Sequence, residues 1–213
     1  MLRVVLVWIN GPFGVGKTHT ADEIQRRLAG SIICDPEHLG YGLHRMTPPH
    51  LRGDFQDMPA WRKGTFEMLD LLLGKHEGNV IVPMTIIEPA YLAEILGPLR
   101  ENGHQVRHYA LRAERATILR RIRGRSLPRR PDTWAEGKID ECLDRLGHDD
   151  FAEHIRTDDL TIAQTAERIA ASAGLTLTPD GSNFLSARAR RTWGQSSTPG
   201  RSRASQPASY ASF

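Results

Sequence analysis

Apolar and polar residues fall along the chain in two kinds of block. Short stretches dominated by apolar residues occur at residues 4–9, 31–34, 79–87 and 106–111, and the more polar stretch 151–158 is expected to supply a fifth strand. Between them apolar positions recur at helical spacing: Ala21, Ile24 and Leu28 over residues 18–29, Phe66, Leu69 and Leu73 over 61–74, and Leu92, Ile95, Leu96 and Leu99 up to Gly103. The same spacing returns at Ile118, Leu119 and Ile122, at Ile139, Cys142, Leu143 and Leu146 over 134–146, and at Ile162, Ala166, Ile169 and Ala173. Continuous apolar runs read as strands buried on both faces, and spacing of three and four reads as helices with one buried side. Strand and helix alternate without an internal repeat. That order predicts an α/β fold, a parallel five-stranded sheet covered by helices in a three-layer sandwich.

Punctuating residues refine the boundaries. Gly30 closes the first helix, in whose first turn Asp22 and Glu23 are expected to favour the dipole. Pro36 stops the second strand after Asp35. Pro83 removes a ladder donor inside the third strand, so a bulge or the strand's end is expected near Met84-Thr85. Residues 37–60 are rich in Gly, Pro, His and Asp and predict only a short helix at 39–45. Such a segment belongs over a substrate.

One break between strand and helix carries chemistry. Residues 10–18 read Asn-Gly-Pro-Phe-Gly-Val-Gly-Lys-Thr, which fits G-x-x-x-x-G-K-[ST] with a strand before it and a helix after. This is a P-loop: its glycines let backbone N–H groups converge on an anion, the lysine adds charge at the β- and γ-phosphates, and the hydroxyl ligates Mg²⁺. The expected ATP-binding set is Gly11, Phe13, Gly14, Val15, Gly16, Lys17, Thr18 and His19, with Thr18 as the metal ligand.

Charge and cysteine content narrow the class. The chain of 213 residues carries a formal +3, but residues 184–213 hold five arginines, no lysine and no acid, so the remainder is slightly acidic. A nucleic-acid binder would put its basic patch on the folded body. The Ser/Arg-rich composition of residues 179–213 predicts a largely disordered tail beyond a domain spanning 1–178. Cys34 and Cys142 show no pairing or metal-ligand spacing, which suits a reducing compartment. No stretch approaches the roughly 18 apolar residues of a membrane span, nor does the N-terminus carry a signal-like core, so a cytoplasmic location is expected. The nine histidines form no cluster with metal-ligand spacing.

Three further groups complete the candidate site. Asp35 ends the second strand, where ligands of doubly wound folds sit. It can orient an acceptor hydroxyl or take its proton, or it caps the next helix. In the arginine-rich segment 112–130, Arg121 and Arg125 stand four apart on one face, as lid residues that stack on adenine and clamp phosphates would; a solvated face is the plainer alternative. The stretch 54–62 sets Phe55 and Trp61 beside Gln56, as a pocket for a planar, hydrogen-bonding ligand does and as an ordinary helix entry also can. Thr85 is expected to reach the γ-phosphate or a catalytic water. No aspartate ends the third strand, and Glu88 lies beyond it, so protein ligation of metal rests on Thr18 with waters held by Asp35.

Taken together, Trp8-Ile9-Asn10-Gly11, Asp35-Pro36-Glu37, Asp54-Phe55-Gln56 with Pro59 and Trp61-Arg62, Ile81-Val82-Pro83-Met84-Thr85-Ile86, residues 119–125, His154-Ile155 and Thr157-Asp158 resemble the tunicamycin-resistance ATP-binding proteins over roughly residues 6–175. The resemblance implies a P-loop kinase-like fold with strand order 2-3-1-4-5, ATP binding, and protection against tunicamycin, a uridine-containing nucleoside that mimics an activated amino sugar. It sets Asp35 where the acceptor-side aspartate of chloramphenicol and shikimate kinases lies, and gives Arg121 and Arg125 the spacing of lid arginines. It also implies weak membrane association through a C-terminal segment, here Phe184, Leu185 and Trp193 among Arg188, Arg190 and Arg191. Three activities fit: an ATP-dependent phosphotransferase acting on a nucleoside antibiotic, an ATP-dependent drug-sequestering protein, and a kinase of a nucleotide or nucleotide sugar. The oligomeric state is left open.

Overall fold

In the computed structural model residues 4–124, 133–151 and 153–180 are described. The described residues up to Thr178 form one compact unit. Arg125 and the tail residues Phe184, Leu185, Arg188, Arg190, Arg191 and Trp193 lie outside the described residues.

Five strands, β1 (Val5–Asn10), β2 (Ile32–Ile33), β3 (Val80–Pro83), β4 (Gln105–Arg112) and β5 (His154–Arg156), pair in parallel in the order β2-β3-β1-β4-β5. Among the described residues seven helices surround them: α1 (Lys17–Arg27), α2 (Glu37–Met46), α3 (Pro59–Lys75), α4 (Pro89–Glu101), α5 (Arg115–Arg123), α6 (Thr133–Arg145) and α7 (Ile162–Ala173). Two 3₁₀ turns, Pro49–Leu51 and Phe55–Asp57, lie between α2 and α3.

All six residues of β1 are buried, because side chains of period two feed both faces of a covered sheet. Val5, Val7 and Ile9 join a cluster with Leu111 of the neighbouring β4 and with Ile24, Ile118, Ile122 and Ile169 of α1, α5 and α7. Leu6 and Trp8 join Leu69, Leu73, Leu92, Ile95, Leu96 and Leu99 of α3 and α4. One strand thus ties the two helical layers together.

Several boundaries differ from expectation. The helix α1 starts at Lys17, so Asp22 and Glu23 fall beyond its first turn, which holds no acid. That leaves the positive end of the helix dipole uncompensated by carboxylates, as an anion site requires. The strand β3 ends on Pro83, opposite Ile9, and the next amide, Met84 N–H, bonds Ile9 O at 3.1 Å. Proline is accommodated there as the last residue of the strand, with no bulge. The strands β2 and β5 are shorter than the stretches 31–34 and 151–158 expected to form them, since edge strands have one partner each. Finally, Thr161 and Gln164 form a reciprocal capping box at the start of α7.

Candidate functional site

The P-loop leaves the carboxyl end of β1, the central strand at which the strand order switches direction. Gly11, Gly14 and Gly16 adopt φ of 147°, 84° and 113°, values that L side chains rarely take. At two of them space is also closed. A Cβ on Gly11 would meet Leu111 O at 2.8 Å, and one on Gly14 would meet Ile122 Cγ1 at 2.6 Å. The loop therefore lies directly on β4 and α5.

Asn10 braces the loop from below. Wholly buried, its Oδ1 accepts the amides of Gly11 (2.8 Å) and Ile86 (3.0 Å), and its Nδ2 donates to Ile86 O (2.8 Å). It joins the end of β1 to the β3–α4 connection. Lys17 Nζ donates to Gly11 O (2.8 Å) and Pro12 O (3.1 Å) and lies 5.6 Å from the Phe13 ring centroid. Val15 N–H closes the turn onto Pro12 O (3.3 Å). Thr18 and His19, next along α1, are exposed. An acid-free helix start, three left-handed glycines, a lysine and an accessible threonine hydroxyl fit a nucleotide phosphate chain with a divalent cation. Among the described residues no group of three His, Cys, Asp or Glu side chains could hold a metal ion.

Asp35 follows β2 at the same edge of the sheet and is partly buried. Its Oδ1 accepts the Glu37 amide at 2.9 Å, so it caps the entry to α2. Burial raises its pKa above the ordinary carboxylate value, against the lowering effect of that amide, His38 and Lys17. Cap and candidate base are thus the same side chain.

The remaining sequence-identified residues divide. Arg121 reaches the loop: its Nη1 donates to Val15 O (3.1 Å) and Thr157 Oγ1 (2.9 Å), and its Nη2 to Thr157 O (2.6 Å). It ties the P-loop to the turn after β5. Phe55 packs edge-on to Tyr41 and His44, with centroids 6.3 and 5.5 Å away, and tilted against Trp61 at 5.4 Å. Gly40 is the floor beneath it, since a Cβ there would lie 2.5 Å from the ring. Trp61, expected as pocket lining, is wholly buried and donates its indole N–H to Pro36 O at 2.9 Å; a side chain so enclosed supports the wall without facing a ligand. Thr85, expected at the γ-phosphate, is buried and donates its hydroxyl to Gly11 O at 2.9 Å. Gln56 Nε2 donates to Thr85 O at 2.9 Å. Glu88 pairs with Arg145 of α6 at 3.5 Å.

Residues without an assigned role in the sequence are mostly braces. Besides Asn10 they include Arg62, which is buried, bonds Glu94 (2.6 Å) and Gln56 O (2.6 Å), and stacks 4.2 Å from the Tyr91 centroid. Thr157 receives Arg121, and the half-exposed Ile162 approaches Gly16, where a Cβ would lie 3.2 Å from its Cδ1. Asn10, Arg62 and Thr157 stand in the motifs that carry the family resemblance, and Ile162 shows only as an apolar position of α7. Both cysteines are free, and burial pushes each thiol up to about 11, which keeps them protonated and poorly nucleophilic.

A phosphate-binding loop at the switch point of a 2-3-1-4-5 parallel sheet defines the P-loop kinase-like class. Residues 6–148 match the AAA domain family. The chain is similar in structure to the tunicamycin resistance protein of Deinococcus radiodurans, at 37% identity and TM-score 0.70, over 83% of this chain and 99% of that one. It is also similar to a gluconokinase from Sinorhizobium meliloti (16% identity, TM-score 0.54, 91% and 98% of the two chains) and to shikimate kinase from Bacteroides thetaiotaomicron (16%, 0.54, 80% and 99%). At that identity these two speak for the fold alone. No curated protein matches the chain significantly in sequence. The chain belongs to the tunicamycin-resistance family of P-loop kinase-like proteins.

Proposed function

We propose that the protein is an ATP-dependent phosphotransferase that inactivates a nucleoside antibiotic of the tunicamycin type by phosphorylating a hydroxyl. The observation that carries this reading is Asp35. It is a partly buried carboxylate of raised pKa at the carboxyl edge of the sheet, within the electrostatic reach of the P-loop lysine. A carboxylate so placed can orient an acceptor hydroxyl and take its proton during phosphoryl transfer.

In this reading the amides of residues 13–18 and the start of α1 hold the phosphates, Lys17 leaves the Gly11 and Pro12 carbonyls for a phosphate oxygen, and Thr18 holds the cation. When bound, ATP supplies the phosphoryl group and Mg²⁺ offsets charge on its oxygens. Asp35 accepts the proton of the acceptor hydroxyl as that oxygen bonds the γ-phosphorus and the bond to the ADP oxygen breaks. Arg121, fixed at Val15 and Thr157, puts a cation beside the loop, with Arg125 as the second lid arginine. The segment of Phe55 and Gln56 walls the acceptor side, with the exposed Tyr41, Met46 and Leu51 of α2 and the following turn near it in the chain. A cytoplasmic location, where ATP is available, goes with this reading.

Incubation with ATP, Mg²⁺ and tunicamycin, followed by mass spectrometry, tests it: a drug species heavier by one phosphate is expected. ATP binding with unmodified drug would refute it. A sequestering role is favoured by one observation, that Asp35 already serves as a helix cap. Sequestration predicts protection that survives Asp35→Asn, which keeps the capping oxygen, but not Lys17→Ala.

A further inference from the structure

The Gly11 carbonyl is shared between two donors, Lys17 Nζ at 2.8 Å and Thr85 Oγ1 at 2.9 Å. Both lone pairs of one oxygen are used. The carbonyl of Thr85 accepts Gln56 Nε2 at 2.9 Å, and the carbonyl of Gln56 accepts Arg62 Nη1 at 2.6 Å. Arg62 is itself held by Glu94 on α4 and by the Tyr91 ring. Hydrogen bonds thus run unbroken from the α3–α4 wall, through the segment carrying Phe55, to the turn that positions Lys17.

We infer that Gln56 and Thr85 are positioning residues that let the acceptor-side segment set the availability of Lys17 for nucleotide. The inference rests on the phosphotransferase reading only for where nucleotide and acceptor sit. Lys17 has to leave the Gly11 carbonyl to meet a phosphate. The Thr85 hydroxyl keeps that buried oxygen satisfied when the ammonium departs, so release exposes no bare acceptor. Without the hydroxyl, the oxygen retains the ammonium as its partner and holds it back. Gln56 acts one bond further out, fixing the Thr85 peptide where its hydroxyl reaches Gly11. A ligand that shifts the Phe55–Gln56 segment therefore changes nucleotide affinity, and nucleotide changes that ligand's affinity by the same factor.

The test is calorimetric titration of the full chain with Mg²⁺ and AMPPNP, a non-hydrolysable ATP analogue. Thr85→Val weakens binding about three- to tenfold, and Thr85→Ser, which keeps the hydroxyl, restores it. Gln56→Met, of similar length but without the amide, weakens binding about threefold in the native background and adds nothing to Thr85→Val, because both act on one carbonyl. Native affinity in Gln56→Met overturns the inference, as does an equal loss in both backgrounds. If Thr85→Val does not fold, Gln56→Met alone decides by the first criterion. Failure of the unaltered protein to bind AMPPNP would overturn this inference and the proposed function together, whereas binding that the variants leave unmoved overturns only the coupling.

Discussion

Gly14 tolerates no side chain, because its φ of 84° and the Ile122 contact act together. Gly14→Ala is expected to cost about 2–4 kcal/mol by adding backbone strain to overpacking; an unshifted urea midpoint would contradict this. Asp35→Asn keeps the acceptor for the Glu37 amide but loses the base. A fall in kcat of about 10²–10⁴ with little change in stability is expected. On the proposed phosphotransferase reading, activity of the native protein should rise with pH as Asp35 deprotonates, with a midpoint above the ordinary carboxylate value because burial opposes the charge. That limb of the pH–rate profile should vanish in the variant. At this scale the P-loop was legible, since its function is local in sequence. Asn10 was not: its partners on Ile86 are 76 residues away, and nothing near position 10 announces them.

Among the elements, α1 and β4 show what burial decides. The first turn of α1 is acid-free because the helix starts at Lys17 directly after Gly16, which leaves Asp22 and Glu23 in its second turn. On β4, His108 is buried beside Phe151 with Nε2 unpartnered, and burial, then Arg100 and His154, lowers its pKa to about 4. The unfolded chain, with an ordinary histidine pKa near 6.5, binds the proton first as pH falls. Stability contributed by this neutral histidine is thus full above about pH 6.5 and lost progressively down to about pH 4, a change on the order of 3 kcal/mol. Denaturation at pH 7 and pH 5 should show the fall in the native protein and a much smaller one in His108→Met; equal falls would remove His108 as the cause. The length of α2, from Glu37 where only residues 39–45 were expected, has a similar origin. Asp35 caps its entry, and Gly40 receives Phe55 from fifteen residues ahead.

For the molecule as a whole, ligand and fold are linked. Mg²⁺·ATP at a hundredfold excess over Kd should stabilise the protein by about 2.7 kcal/mol, seen as a rise in Tm, and Lys17→Ala should abolish the rise. A rise that persists in the variant would place nucleotide binding elsewhere. The alternation of strand and helix, the number of strands, the P-loop and the position of Asp35 at a strand end were all determined by the sequence itself, because each depends on residues within about one element's length of one another. Tertiary structure alone decided that Trp61 supports the wall instead of lining it. It also decided that the Thr85 hydroxyl meets Gly11 and that Arg121 pins Val15 to Thr157. These are contacts between segments brought together at the carboxyl edge of the sheet, and a side chain's orientation there depends on neighbours distant in sequence that compete for the same buried acceptors.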